Sequence, residues 1–152
     1  ENVCKEIDSF QVIRYSENES INLIISAYIA KANERKIQTS IKILTSEFER
    51  FSIPDLCSLL LNALENAIHA AEKINDEKDR QIKLRIYSKN NKLCINLSNN
   101  YKTKPTFSRG LPVTKESEHG VGTKSMIHIV EKYSGIYRFI AKDGVFVFQA
   151  TM

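Results

Sequence analysis

The sequence predicts a two-layer α/β sandwich of the α+β kind, about three helices covering one face of a mixed, mostly antiparallel five-stranded sheet. Two observations predict it: apolar residues recur at helical period in three separate stretches, and five short runs alternate or cluster as strands do. A third is that four of those five runs pair off around tight-turn residues, Asn90-Asn91 and Asp143-Gly144, as two hairpins.

The elements follow in order. Ser16 and Glu19 have the spacing of a capping box, and Ile21, Ile24, Ile25, Tyr28 and Ala32 then repeat every three or four residues, predicting a first helix over 18–34. Ile37, Thr39, Ile41 and Ile43 alternate as a half-buried strand. Ser52 and Asp55 open a second helix that runs to about residue 73, with Pro54 accommodated in its first turn. A charged loop over 75–80 leads to the strands marked by Ile82, Leu84, Ile86 and by Leu93, Ile95, Leu97. A third helix is expected over 122–133, with Met126, Ile127 and Val130 inward and Gly135 as its left-handed cap. The closing hairpin pairs 136–141 with 145–149. Residues 99–119 show no period, and an irregular loop of that length in a small domain is expected to be functional, a lid.

The chain has 152 residues, 42% of them apolar, enough for one domain with its own core. No apolar run nears the roughly 18 residues of a membrane span, and no secretory signal opens the chain. It begins with Glu1 and not Met, so it reads as a piece of a longer protein. Cys4, Cys57 and Cys94 are far apart, and Cys57 and Cys94 sit in apolar runs, so all three read as small fillers in a reducing compartment.

The net charge of +4 is concentrated. Lys102, Lys104, Arg109, Lys115 and Lys124 stand against Glu116 and Glu118 within residues 100–124, so one segment holds most of the excess. A nucleic-acid surface spreads roughly 6–10 phosphate contacts over a face, so a compact polyanion such as a nucleoside triphosphate fits better, and no nucleic acid is expected.

On the second helix Leu56, Leu59, Leu60, Ala63, Ala67 and Ala71 share the core face, and Asn62 and Asn66, four apart, stack along its edge. Both carboxamides could be merely solvated. They could equally face a cleft and offer oxygens to hydrated Mg²⁺, a hard cation that takes few protein ligands beside phosphate. His119-Gly120-Val121-Gly122-Thr123-Lys124-Ser125 opens the third helix, where glycines admit a close ligand and free N–H groups favour an anion; ordinary turn glycines would look the same. The stretch is neither a P-loop nor a dinucleotide fingerprint, and no GxSxG or HExxH motif supports hydrolase chemistry. His69, His119 and His128 lack metal-site spacing, although His119 beside the glycines could touch a ligand.

Asn62-Ala63-Leu64-Glu65-Asn66-Ala67-Ile68 resembles the N-box of sensor histidine kinases, and His119-Gly120-Val121-Gly122 with the helix to Gly135 resembles their second glycine box. The order N-box, hairpin, lid, glycine box, final hairpin is similar to the Bergerat ATP-binding fold of the GHKL superfamily. More narrowly, residues 22–32 and Leu111-Pro112-Val113-Thr114-Lys115 resemble the peptide-sensing, quorum-sensing type; the likeness spans about residues 15–149. It implies an ATP-binding kinase domain over 15–152, with residues 1–14 ending a linker from an absent helical dimerisation domain.

The resemblance also implies roles. Asn62 and Asn66 would be the catalytic pair, Asn66 on Mg²⁺ and Asn62 placing water or phosphate. Gly120 and Gly122 would lie against the phosphates, Lys115 would be a lid cation with Thr114 beside it, and His119 and Thr123 would border the nucleotide. The usual DxGxG box is missing: Leu97-Ser98-Asn99-Asn100-Tyr101 stands there, so Asn99 takes the adenine role, a carboxamide accepting the same hydrogen bond without charge. His69 replaces the common Lys, Arg or Glu, and Thr123 a common Leu. ATP and Mg²⁺ are the implied ligands. The implied partners are a phosphoacceptor domain and, through it, a response regulator, within a bacterial homodimer anchored in the cytoplasmic membrane with this domain in the cytoplasm. The isolated domain would then bind ATP with little or no self-phosphorylation. Two alternatives stay open: another ATPase of the same fold, such as a MutL-like clamp or an anti-sigma-factor kinase, and a degenerate binding module serving as a dimer partner.

Overall fold

Residues 13–113 and 117–152 are described by the structure, a computed structural model. Three helices, α1 (Glu19–Glu34), α2 (Ile53–Glu72) and α3 (Ser117–Lys132), pack on a five-stranded sheet made of β1 (Gln38–Ile43), β2 (Gln81–Lys89), β3 (Lys92–Asn100), β6 (Ile136–Lys142) and β7 (Val145–Thr151). The order is β1-β2-β3-β7-β6, with only β1–β2 parallel, so the expected mixed sandwich is the observed one. Two short strands, β4 (Thr106–Ser108) and β5 (Leu111–Val113), form a separate hairpin. No helix among the described residues is long and apolar enough to cross a membrane.

Alternation decides which sheet face the helices cover. Ile82, Leu84 and Ile86 of β2 and Leu93, Ile95 and Leu97 of β3 are buried, while Lys83 and Arg85 between them are exposed. Across the sheet the rungs read Leu84–Leu97–Phe148–Phe139 and Ile86–Ile95–Ala150–Tyr137. Each fully buried Leu, Ile or Phe contributes about 1.5–3 kcal/mol, so these rungs and the apolar face of α2 hold the layers together. On α2 that face is Leu56, Leu59, Leu60, Ala63, Leu64, Ala67, Ile68 and Ala71, as its period predicts.

Four local expectations are corrected. The cap of α1 is Asn18, whose side chain accepts from the Ile21 N–H; Ser16 Oγ accepts from the Asn18 N–H, and Glu19 pairs with Arg14 instead of closing a capping box. The αL position after α3 is Ser134 (φ 55°), not Gly135. Gly135 is needed for space, since a Cβ there would lie 2.6 Å from the Thr151 carbonyl oxygen. Helix α3 starts at Ser117, five residues before the expected 122. The segment expected to be irregular contains a hairpin: Arg109 and Gly110, both at positive φ, turn β4 into β5. The hairpins at Asn90-Asn91 and Asp143-Gly144 form as expected, all four residues at positive φ.

Cys57 and Cys94 are free, Cys57 half-buried and Cys94 buried, as core fillers should be; Cys4 lies outside the described residues.

Candidate functional site

Asn62 lies on the edge of α2 because its neighbours Ala63 and Leu59 take the core face. Its Nδ2 donates to the Ser58 carbonyl oxygen at 2.9 Å, one turn back along the helix. With the amide nitrogen committed, Oδ1 becomes the outward acceptor, and it faces Gly122 of α3: a Cβ on Gly122 would stand 3.2 Å from it. One turn further on, Asn66 donates Nδ2 to Met126 Sδ at 3.8 Å, again across to α3. The two predicted boxes, about sixty residues apart in the chain, therefore meet where α2 and α3 pack.

The early start of α3 changes what the glycines do. By the pattern at α1 and α2, where the fourth helical residue already donates to the cap carbonyl, the free N–H groups of α3 end at residue 119, so the N–H groups of Gly120 and Gly122 both fall within the helix. Gly122 serves by its missing side chain, which lets a carboxamide oxygen and the α3 backbone come close. Thr123 is buried, and Lys124 is exposed. Only the backbone of His119 and Gly120 is described, in the first turn of α3; Thr114 and Lys115 lie outside the described residues.

Asn99 continues the inward row Leu93, Ile95, Leu97 and is 4% exposed. A buried polar group there needs a partner. Its Nδ2 donates to the neighbouring Asn100 carbonyl oxygen at 3.1 Å, which leaves Oδ1 as an acceptor on the helix-covered face. The Asn100 side chain in turn donates to the Asp79 carbonyl oxygen at 2.7 Å, fastening the end of β3. Asn99 is flanked in register by Ile82 and Phe146. Phe107 from the lid hairpin packs toward Phe146 with ring centroids 6.4 Å apart, and Phe146 toward Phe139 at 6.1 Å. The β4–β5 hairpin is thus hooked onto the strand next to Asn99. Sequence reasoning missed Phe107 and Phe146; the signal was their aromatic character at the two ends of the lid and final hairpin.

Glu65, between the two N-box asparagines, faces elsewhere. Its carboxylate accepts from the Tyr28 hydroxyl at 2.8 Å and from Lys31 Nζ at 3.1 Å, both on α1. The Tyr28 hydrogen bond, then Lys31, holds this carboxyl below the usual range. His69, a turn beyond Asn66, has Nδ1 3.5 Å from Glu72 Oε1, and Glu72 also pairs with Arg35.

The donor set fits Mg²⁺. Carboxamide oxygens are hard ligands, and no group of three or more His, Cys, Asp or Glu among the described residues forms an all-protein cage. Carboxamides of this kind suit a cation that takes one or two side-chain oxygens and completes its shell with phosphate and water.

The sequence profile of the GHKL domain family matches residues 51–152. No curated protein matches at the sequence level. Among solved structures, the chain is similar to the catalytic domain of histidine kinase ThkA in a nucleotide-free form (TM-score 0.67, 17% identity, 94% of this chain and 95% of that one). It is similar to the Acinetobacter baumannii histidine kinase AdeS (TM-score 0.63, 12% identity, 97% and 70%). The Erythrobacter litoralis EL346 blue-light activated histidine kinase also matches (TM-score 0.61, 13% identity), over 87% of this chain but 40% of that one. At these identities the likeness is one of fold.

Proposed function

Because the chain belongs to the GHKL domain family, we propose that it is the ATP-binding catalytic domain of a two-component sensor histidine kinase. The observation that carries the reading is the approach of Asn62 Oδ1 to Gly122, which brings the N-box and the glycine box to one place. Asn66 would hold Mg²⁺ and Asn62 would orient water or phosphate beside it. Bound there, the cation would neutralise charge on the phosphates. The unpartnered N–H groups of the first α3 turn favour the same anion. Asn99 Oδ1 would accept from the adenine amino group, with the Phe107–Phe146 wall alongside. Thr114 and Lys115 are proposed as lid contacts, and His119, Gly120 and Thr123 as the border of the nucleotide.

In the transfer itself the chain supplies position and charge, as phosphoryl transfer requires. The bond from the γ-phosphorus to the β,γ-bridging oxygen breaks, ADP leaves, and a bond forms to an imidazole nitrogen on a separate phosphoacceptor domain. That domain, a response regulator served through it, a membrane-anchored bacterial homodimer and a peptide-sensing, quorum-sensing role complete the proposal.

Glu65 disfavours the hydrolase alternative. A hydrolytic relative needs a carboxylate to activate water; Asn62 stands where a MutL-like clamp has one, and Glu65 is turned to Tyr28 and Lys31.

Calorimetry with ATP, with and without Mg²⁺, tests the site. Mg²⁺-dependent binding is expected in the wild type. Asn66→Ala should remove the metal dependence while leaving metal-free ADP binding largely intact. Asn99→Ala should weaken all adenine nucleotides by about 1–3 kcal/mol and reduce preference for ATP over GTP. No binding at millimolar nucleotide would establish the degenerate-module reading instead.

A further inference from the structure

We propose that Asp55 and Tyr133 form a positioning latch, remote from the nucleotide site, that sets how α3 lies on α2 and so holds Gly122 against Asn62. The inference rests on the nucleotide-site reading above for its functional consequence, though not for its geometry.

The start of α2 is capped in an unusual way. Ser52 is the N-cap, yet its hydroxyl makes no capping bond. In a capping box the acidic residue three positions on would accept from the N-cap N–H directly. Here a side chain from the other helix is inserted between the two. The Ser52 N–H donates to the Tyr133 hydroxyl oxygen at 2.9 Å, and that hydroxyl donates to Asp55 Oδ2 at 2.5 Å. Lys132 Nζ donates to the same oxygen at 2.8 Å. The hydrogen bonds from Lys132, then Tyr133, hold the Asp55 carboxyl below the usual range, so it is ionised and accepting at neutral pH. The Tyr133 ring packs edge-on against buried Phe51 at 5.0 Å, which fixes where its hydroxyl points.

One cap thus ties the first turn of α2 to the residue just past the end of α3. Asn62 lies seven residues beyond Asp55, about 10 Å along α2, and Gly122 eleven residues before Tyr133, about 16 Å along α3. Two rods joined at one end and required to touch elsewhere have their contact set by that joint. The joint leaves little room for a side chain at Gly122: a Cβ there would stand 3.2 Å from Asn62 Oδ1, closer than ordinary packing. A small swing of α3 would part the carboxamide oxygen from the helix backbone and carry Met126 away from Asn66.

Tyr133→Phe deletes the hydroxyl and keeps the ring on Phe51, so the fold is retained. Two readouts are compared with the wild type: hydrogen exchange in the ligand-free protein, and affinities for Mg²⁺–ATP and for adenosine, which lacks phosphates. Expected for Tyr133→Phe are faster exchange of the amides over residues 122–126, Mg²⁺–ATP binding weakened roughly tenfold, and adenosine changed less than about twofold. Asp55→Asn, which keeps an acceptor for the hydroxyl, should retain most of the protection that Asp55→Ala loses. Unchanged exchange at 122–126 in Tyr133→Phe overturns the latch, as does equal weakening of both ligands, which would mark a general loss of structure. A wild type that binds no Mg²⁺–ATP overturns the nucleotide reading alone, because the exchange comparison still decides the latch.

Discussion

An alanine at Gly122 would set a Cβ 3.2 Å from Asn62 Oδ1, 3.8 Å from its Cγ and 3.9 Å from its Cβ. Gly122 sits inside a helix at ordinary φ, so alanine also removes glycine's helix penalty of about 1 kcal/mol. The two effects act on different observables. Gly122→Ala is expected to hold or raise the melting temperature while lowering Mg²⁺–ATP affinity by roughly tenfold, because Asn62 must move. Calorimetry beside a thermal melt checks this; higher stability with unchanged affinity would make Gly122 an ordinary helix residue. At this scale Asn62 and Asn66 were legible from spacing alone, since period places them on the rim of an apolar face. Their partners, the Ser58 carbonyl and Met126 sulfur, were not, because a spacing pattern says nothing of what a rim group meets.

Between elements, the α1–α2 contact is carried by Tyr28, Lys31 and Glu65 beside the apolar packing of Ile21 and Ile25. Burial, then the Glu65 hydrogen bond, pushes the Tyr28 phenol up to about 12 from its ordinary 10.0. A folded-state value above the unfolded one means the contact's stabilisation is whole below about pH 10 and is lost as pH rises through about 12. Tyr28→Phe should therefore melt below the wild type at pH 8, with the gap closing between about pH 10 and 12. A melting series over that range checks it, and a constant gap would show that the hydroxyl contributes nothing through Glu65. The lid shows the limit of period as a guide. Its hairpin has three-residue strands, too short to alternate convincingly, and Arg109-Gly110 is recognisable as a turn only once both strands are known. The start of α3 was missed because residues 117–121 are a serine, a glutamate, a histidine, a glycine and one valine across that first turn, with no apolar period to read.

For the whole molecule, the two layers bring both motif asparagines to the seam between α2 and α3, and the proposed function assigns the phosphoacceptor to another domain. His69 lies within α2 beside Glu72, and His128 is exposed on α3 at the far side of Met126 in sequence from Gly122. The chain alone with Mg²⁺–ATP is expected to stay unlabelled, whereas mixing with a separate helical phosphoacceptor domain should give an acid-labile phosphohistidine on that domain. Label accumulating on this chain would overturn the assignment. The sequence by itself determined the layers, the three helices and the five-stranded sheet, and it marked both candidate motifs. These depend on period, turn residues and local spacing, all of which act between neighbours in the chain. Only the tertiary structure decided that Asn62 faces Gly122, that Glu65 is spent on α1, that Phe107 hooks the β4–β5 hairpin beside Asn99, and that Tyr133 completes the cap of α2. Each of these is a contact between residues 37 to 81 positions apart, chosen by how whole elements pack, and no local propensity encodes that choice.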